Sequence, residues 1–222
     1  MVKKTILPLI ALAALLSSCG NSGVVLPSAT GSRFEILIVM NDTEWKAPSG
    51  RAVVALFNGD MPNLPQSEPM MDISQVNSSE FSDMLKPTRN ILVVDIQPRF
   101  EQPKISFGKN TWSQPQSVIK IQAKNDSVME QLIKKDGERI LNYFITTERE
   151  RGILLGKNYL NQKAMNAVEK QFGIRIDIPT ELSKAQTGAD FYWITNDHAR
   201  IRKDLIIYSY PYTDKRMLTR EW

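Results

Sequence analysis

The sequence predicts an α+β fold, with two related β-α-β-α-β-β units forming mixed or antiparallel sheets covered by helices. Three observations lead there. Short apolar runs rich in branched residues, such as "FEILIVM", "NILVVDI" and "SVIKIQA", recur between Gly, Pro and Asn punctuation and read as buried strands. Met129, Ile133, Ile140 and Phe144, and later Leu160, Ala164, Val168 and Phe172, fall at spacings of three and four, as one face of a helix requires. The order of elements read in the first half also returns in the reading of the second, with "MDIS" (71–74) answering "IDIP" (176–179).

Taken in order, residues 34–40 are the first strand. The cap-type residues of "NDT" (41–43) follow, and a helix begins near Pro48-Ser49 and stops at Asn58-Gly59. "MPNLPQSEP" (61–69) is a proline-rich loop, "MMDISQV" (70–76) a strand and "SSEFSDML" (78–85) a short helix that Pro87 ends. Residues 90–96 and 104–108 are strands, closing a first unit at 33–110. The second unit, 111–222, opens on a strand at 117–123. A helix follows, with Ser127 and Glu130 as a capping box. Gly152 and Gly156 separate it from a helix over 159–172. "IRIDIP" (174–179), "FYWIT" (191–195) and "DLIIYSY" (204–210) are the remaining strands, with a turn of helix at "TELSKA".

The N-terminus is organised for export. "MVKK" is basic, and the apolar stretch at residues 5–16 would span about 18 Å as a helix, short of a bilayer core of about 30 Å. That is the layout of a signal peptide, here residues 1–18. Leu16-Ser17-Ser18-Cys19 resembles the bacterial lipobox, which implies cleavage before Cys19, lipidation of its thiol and acylation of its freed amine. Cys19 is the only cysteine, so lipidation leaves no thiol for a disulfide, a metal or a nucleophile. Two or more acyl chains make a firm anchor where one is marginal. Residues 19–32 then form a small, polar tether. Gly20 stands where an aspartate would resemble an inner-membrane retention signal, so the periplasmic face of the outer membrane is the expected location.

Without residues 1–18, 204 residues remain, carrying 26 basic and 24 acidic side chains in interspersed order. That balance is an ordinary surface and excludes a nucleic-acid footprint, which would gather Lys and Arg on one face.

Little in the chain selects a chemistry. His198 is the only histidine and lies in a polar stretch between two strands. Asp42, Glu44, Asp95, Asp177 and Asp197 stand in or beside strands, where paired carboxylates could converge, although no spacing selects a pair, and Asp42 and Asp126 suit helix capping. No GxGxxG, P-loop, HExxH, GxSxG or SxxK pattern occurs, so no cofactor, metal or catalytic residue is assigned. The aromatics say more. Tyr208, Tyr210 and Tyr212 alternate along one strand with Trp193 nearby, a pattern suited to stacking a ligand or covering a half-buried sheet. Trp45 and Trp112 suit core lids or ligand platforms equally. "DSV" (126–128) fits a short O-glycosylation pattern at Ser127.

"PSATGSRFEILIVMNDTEW", "MPNLPQSEPMMDISQV" and "FSDMLKPTRNILVVDI" together resemble a Bacteroidetes lipoprotein family, domain of unknown function 4837. The resemblance implies lipidation and an envelope location and carries over no site residue. It also implies a chain continuing beyond "DKRMLTREW", which reads as the start of a helix. The expectation is a non-enzymatic envelope module that binds a glycan, peptide or protein partner. An envelope polysaccharide hydrolase using paired carboxylates and a structural subunit of an envelope assembly are the alternatives.

Overall fold

The computed structural model describes residues 25–219. The expected signal peptide, Cys19 and the first part of the expected tether lie outside the described residues. The chain divides into two compact units, Met1–Glu148 and Arg149–Trp222. The boundary thus falls well after residue 110, because the strand at 117–123 and most of the helix after it belong to the first sheet.

In the first unit, β1 (Glu35–Val39), β2 (Asp72–Val76), β3 (Asn90–Ile96), β4 (Lys104–Lys109) and β5 (Ser117–Ala123) make one mixed sheet in the order β2-β1-β3-β5-β4. The pairs β1–β2, β1–β3 and β3–β5 are parallel, and β4 joins β5 antiparallel. Continuous apolar runs in β1 and β3 follow from burial on both faces. Ile36, Ile38, Met40, Leu92 and Val94 point into one core with Ile119 and Ile121. Their neighbours Leu37, Val39 and Ile91 point into another with Val118.

Helices cover only the first of these faces. α1 (Asp42–Lys46) and α2 (Pro48–Phe57) follow β1, and α3 (Asp126–Gly156) follows β5. Phe57 and Phe144 meet edge to face at 6.0 Å in this core, and Met129, Ile133 and Ile140 are buried there at the expected helical spacing. Each such side chain contributes about 1.5–3 kcal/mol by leaving water. Gly50 is required at the start of α2, since a Cβ there would lie 2.0 Å from the Trp45 carbonyl oxygen. The opposite face is covered by the β2–β3 connection, through Phe81 and Leu85, and by Trp112. The expected helix at 78–85 is a single 3-10 turn, Ser78–Glu80, capped at its start by Asn77, which accepts the Ser79 N–H, and ended at Phe81.

Caps fall differently from the sequence reading. Asn125, not Ser127, caps α3 by accepting the Val128 N–H at 2.9 Å. Asp126 accepts from the Ser49 N–H and hydroxyl, so its carboxylate serves the positive end of α2 instead. Asp42 is the first residue of α1, and its N-cap Asn41 makes no side-chain cap bond. Part of the expected tether is pinned: Gln114 N–H donates to Pro27, Ala29 N–H to Gln114, and Thr30 N–H to Pro87.

The second unit holds α4 (Gln162–Phe172) and a three-stranded antiparallel sheet, β6 (Lys184–Thr187), β7 (Phe191–Thr195) and β8 (Asp204–Tyr208), in chain order. Asn161 caps α4 by accepting the Ala164 N–H, and Gly173 ends it at φ 70°, in the left-handed region that favours glycine. Ala164 and Val168 pack on Tyr192, Ile194 and Leu182, with Ile178 alongside.

The repeat of one β-α-β-α-β-β unit finds no support in these topologies. Gly152 lies inside α3 rather than ending it, since one isolated helical glycine costs only about 1 kcal/mol. "IRIDIP" forms no strand and contributes one bridge, Leu160 to Pro179.

Candidate functional site

Antiparallel pairing decides what the second unit shows to solvent. Phe191 faces Tyr208 and Trp193 faces Ile206 across the β7–β8 ladder. Alternation sends Tyr192, Ile194, Leu205 and Ile207 inward against α4. Phe191, Trp193, Ile206 and Tyr208 therefore share the outer face, where Ile206 is 60% and Tyr208 66% exposed. A single amphipathic helix covers one side of this small sheet, and on the other Phe191, Trp193, Ile206 and Tyr208 form an apolar patch beside Lys184, Gln186, Thr195 and Asp204.

The aromatics on that face are organised. Tyr208 and Tyr210 stack with centroids 5.9 Å apart and planes 25° from parallel. The Trp193 indole N–H donates to Asp204 at 2.9 Å, and the Arg202 guanidinium lies over the Trp193 ring at 5.4 Å while pairing with Asp204 at 3.1 Å. The indole bond, with smaller help from Arg202, lowers the Asp204 pKa below its ordinary value. Burial raises that of Tyr192 on the inner face. The structure thus brings Tyr208, Tyr210 and Trp193 to one region. It shortens the expected strand, leaving Tyr210 and Tyr212 in the irregular segment after β8. Phe191, Ile206, Arg202 and Asp204 were missed. Their signal was present in "FYWIT" and "DLIIY", which are apolar at both alternating positions although a surface sheet needs only one.

A second apolar site lies on the first unit, where the β2–β3 connection runs out. Phe81 and Trp112, edge to face at 5.6 Å, wall a groove of about 380 Å³ over Val93, Val118 and Gly108, with Lys120 at its edge. Trp45 is half-buried against the helix-covered core, on the other face of the sheet.

Three of the five acidic candidates are engaged structurally, while Glu44, in α1, has a buried Oε2 with no hydrogen-bond partner among the described residues. Asp42 accepts from Gln75, Asp95 from Gln97 while pairing with Lys120 at 3.4 Å, and Asp197 pairs with Lys184. Asp177 lines an apolar cleft beside Arg149. That cleft and the cavity between β4 and α3 each hold one acidic side chain, and the groove beside Trp112 holds none. Among the described residues no group of three or more His, Cys, Asp and Glu converges as a metal site. His198 sits in the exposed β7–β8 loop, where its Nδ1 accepts the N–H groups of Arg200 and Ile201. Ser127 is exposed in the first turn of α3.

The deepest charge is Glu148, whose side chain is inaccessible to solvent. Arg89 pairs with it at 2.9 Å, and the Asn90 amide donates to it at 2.8 Å. The same amide nitrogen donates to the Glu35 carbonyl oxygen, so this cluster ties β1, β3 and α3 together.

Two family models match the chain in succession, with a division close to that between the compact units. A domain of unknown function, DUF8532, matches residues 29–154, and a domain of unknown function, DUF4837, matches residues 161–222. The three segments that resemble domain of unknown function 4837 fall within the first match, apart from Pro27 and Ser28, and not in the second. Comparison with curated proteins and with solved structures finds no match. No helix among the described residues is long and apolar enough to cross a membrane. With its match covering more than half of the sequence, the chain belongs to the DUF8532 family, a domain of unknown function.

Proposed function

We propose that this chain is a lipid-anchored binding module of a Bacteroidetes envelope. In this reading Cys19 carries the acyl chains, the outer membrane holds them, and a polypeptide partner seats on the outer face of the β6-β7-β8 sheet. The observation that carries it is the open face of Phe191, Trp193, Ile206 and Tyr208. A single-sided sheet of ordinary type carries polar residues across its outer face, as Lys184, Gln186, Thr195 and Asp204 do at one end here, and the apolar patch takes the rest.

A polypeptide suits the face better than a glycan. A sugar ring needs a bare aromatic platform, and Arg202 already lies over the largest ring. Exposed Ile206 beside it offers a sugar no hydrogen bond, whereas an apolar side chain gains from covering it. Burying Ile206 and Tyr208 together would be worth several kcal/mol, at about 1.5–3 kcal/mol for each large side chain. The charged pairs Arg202–Asp204 and Lys184–Asp197 would then form a polar rim.

The test is mild crosslinking of the acylated protein in its own envelope, followed by mass spectrometry of what it retains. The expected result is a stoichiometric polypeptide whose recovery drops about tenfold with Ile206→Asp or Tyr208→Ala. Equal recovery by native protein and by a triple Tyr208→Ala, Tyr210→Ala, Tyr212→Ala variant would remove this face from consideration. Retention of glycan alone would transfer the reading to sugars.

A further inference from the structure

The sheet of the second unit has two edges, and they differ. β6 is four residues long, exposed throughout and carries Lys184, the short, charged form in which proteins blunt an edge. β8, Asp204–Tyr208, holds neither Lys nor Pro, and among the described residues no strand pairs with its outer side. The phase of its ladder is fixed at both ends. Asn196 N–H donates to the Lys203 carbonyl at 3.2 Å, and Ser209 N–H to the Asp190 carbonyl at 2.8 Å. Bonding alternates along an antiparallel pair. Leu205 and Ile207 therefore bond to β7, while Asp204, Ile206 and Tyr208 turn their N–H and C=O groups away from it. Those outward groups recur roughly 7 Å apart, a repeat that only another extended chain matches.

The side chains along this edge are equally unfinished. Ile206 and Tyr208 are exposed on the outer face. Leu205 and Ile207 point inward, yet stay only half-buried against the α4 core. A strand added beside β8 would cover both sets at once.

We infer that this edge is a self-association surface, on which β8 of a second copy adds antiparallel and joins two three-stranded sheets into one. The strand's own sequence specifies that occupant, because it is close to symmetric about Ile206. A two-fold axis there sets Ile206 against the partner's Ile206, Leu205 against the partner's Ile207, and Asp204 against the partner's Tyr208. Apolar residues then meet apolar residues on both faces, and each pair of outward residues exchanges both of its backbone bonds. Slipping by two residues sets Ile207 against the partner's Lys203 one way and Leu205 against the partner's Ser209 the other. No like charges come opposite, and Asp204 keeps its bonds to Trp193 and Arg202. The axis is perpendicular to the sheet, so the two outer faces lie side by side and stay open. The inference depends neither on acylation at Cys19 nor on the partner of that face.

The test measures the mass of the full chain carrying Cys19→Ser, by light scattering in mild detergent over a range of concentrations. A dimer is expected. Ile206→Pro removes an N–H that faces away from β7 and should weaken the dimer about tenfold, with the far-ultraviolet circular dichroism unchanged. In the same background, Ile206→Cys should form a disulfide-linked dimer on mild oxidation, since directly opposed residues have Cα atoms about 5.5 Å apart. Tyr208→Cys should not, because its two copies would stand roughly 14 Å apart along the strands. If Ile206→Pro disturbs the fold, the cross-linking pattern decides alone. A monomer at every concentration overturns the inference, including one that captures an extended segment of another protein. So does cross-linking of Tyr208→Cys as readily as of Ile206→Cys.

Discussion

The two sheets of this protein solve the same packing problem with different completeness. In the first unit β1 and β3 are buried on both sides, by helices on one and by the Phe81 and Trp112 side chains on the other. In the second unit one eleven-residue helix covers one face of three strands, and the other face stays open. The difference is one of completeness: the first sheet is covered on both sides, whereas the second leaves an exposed apolar patch on its outer face, the surface on which the proposed partner would seat.

Breaking the first unit should give the largest effects. Glu148→Ala removes the buried carboxylate that Arg89 and Asn90 address. A loss of about 3–5 kcal/mol is expected, the usual cost of breaking a buried ion pair from one side. Urea unfolding would measure it, and Glu148→Gln, which keeps an acceptor for Asn90, should lose less. A pair of matched truncations then sharpens the contrast. Ile121→Ala in the thick core should cost about 4 kcal/mol and Ile194→Ala in the thin one about 2 kcal/mol, because a site under a single helix can collapse into the space. Equal costs would mean that the second core is as rigid as the first.

Substitutions on the open face should barely touch stability. Ile206→Thr and Tyr208→Ser are expected to change it by no more than about 0.5 kcal/mol, as surface changes do, while reducing partner capture. A large loss of stability would show that the face packs against something within the fold.

The smallest effect is with pH. The Lys184 hydrogen bond lowers the Asp197 pKa, and the Trp193 indole lowers that of Asp204. Groups depressed in the folded state contribute stability above their unfolded value, and it is lost as pH falls through the folded one. The β7–β8 hairpin should therefore loosen only below about pH 4, near and under the ordinary carboxylate value. Trp193 fluorescence would follow it, and Asp204→Asn should shrink the change.

Strands with strong patterns were legible in the sequence. The segment 117–123 coincides with β5, and 90–96 with β3, because each is a branched apolar run closed by polar residues. "IRIDIP" carried the same alternation yet pairs only through Pro179, since alternation supplies a face but no neighbouring strand to bond with. The helix face of Met129, Ile133, Ile140 and Phe144 was equally legible. The apolar run of β8 was present in the sequence too, but its place at a sheet edge depends on which strands pair.

The amino-acid order by itself determined the α+β class, the two core-facing helix stripes and the aromatic-rich β7 and β8, since these follow from local periodicity and side-chain type. Tertiary structure decided the rest. It moved the division of the chain to residue 148 by pairing β5 with β3, and it gave Asp126 to α2 rather than to its own helix. It also left one sheet face and one sheet edge uncovered. Partners distant in sequence make those choices, and hydrophobic periodicity records which side of an element is apolar without recording what will cover it.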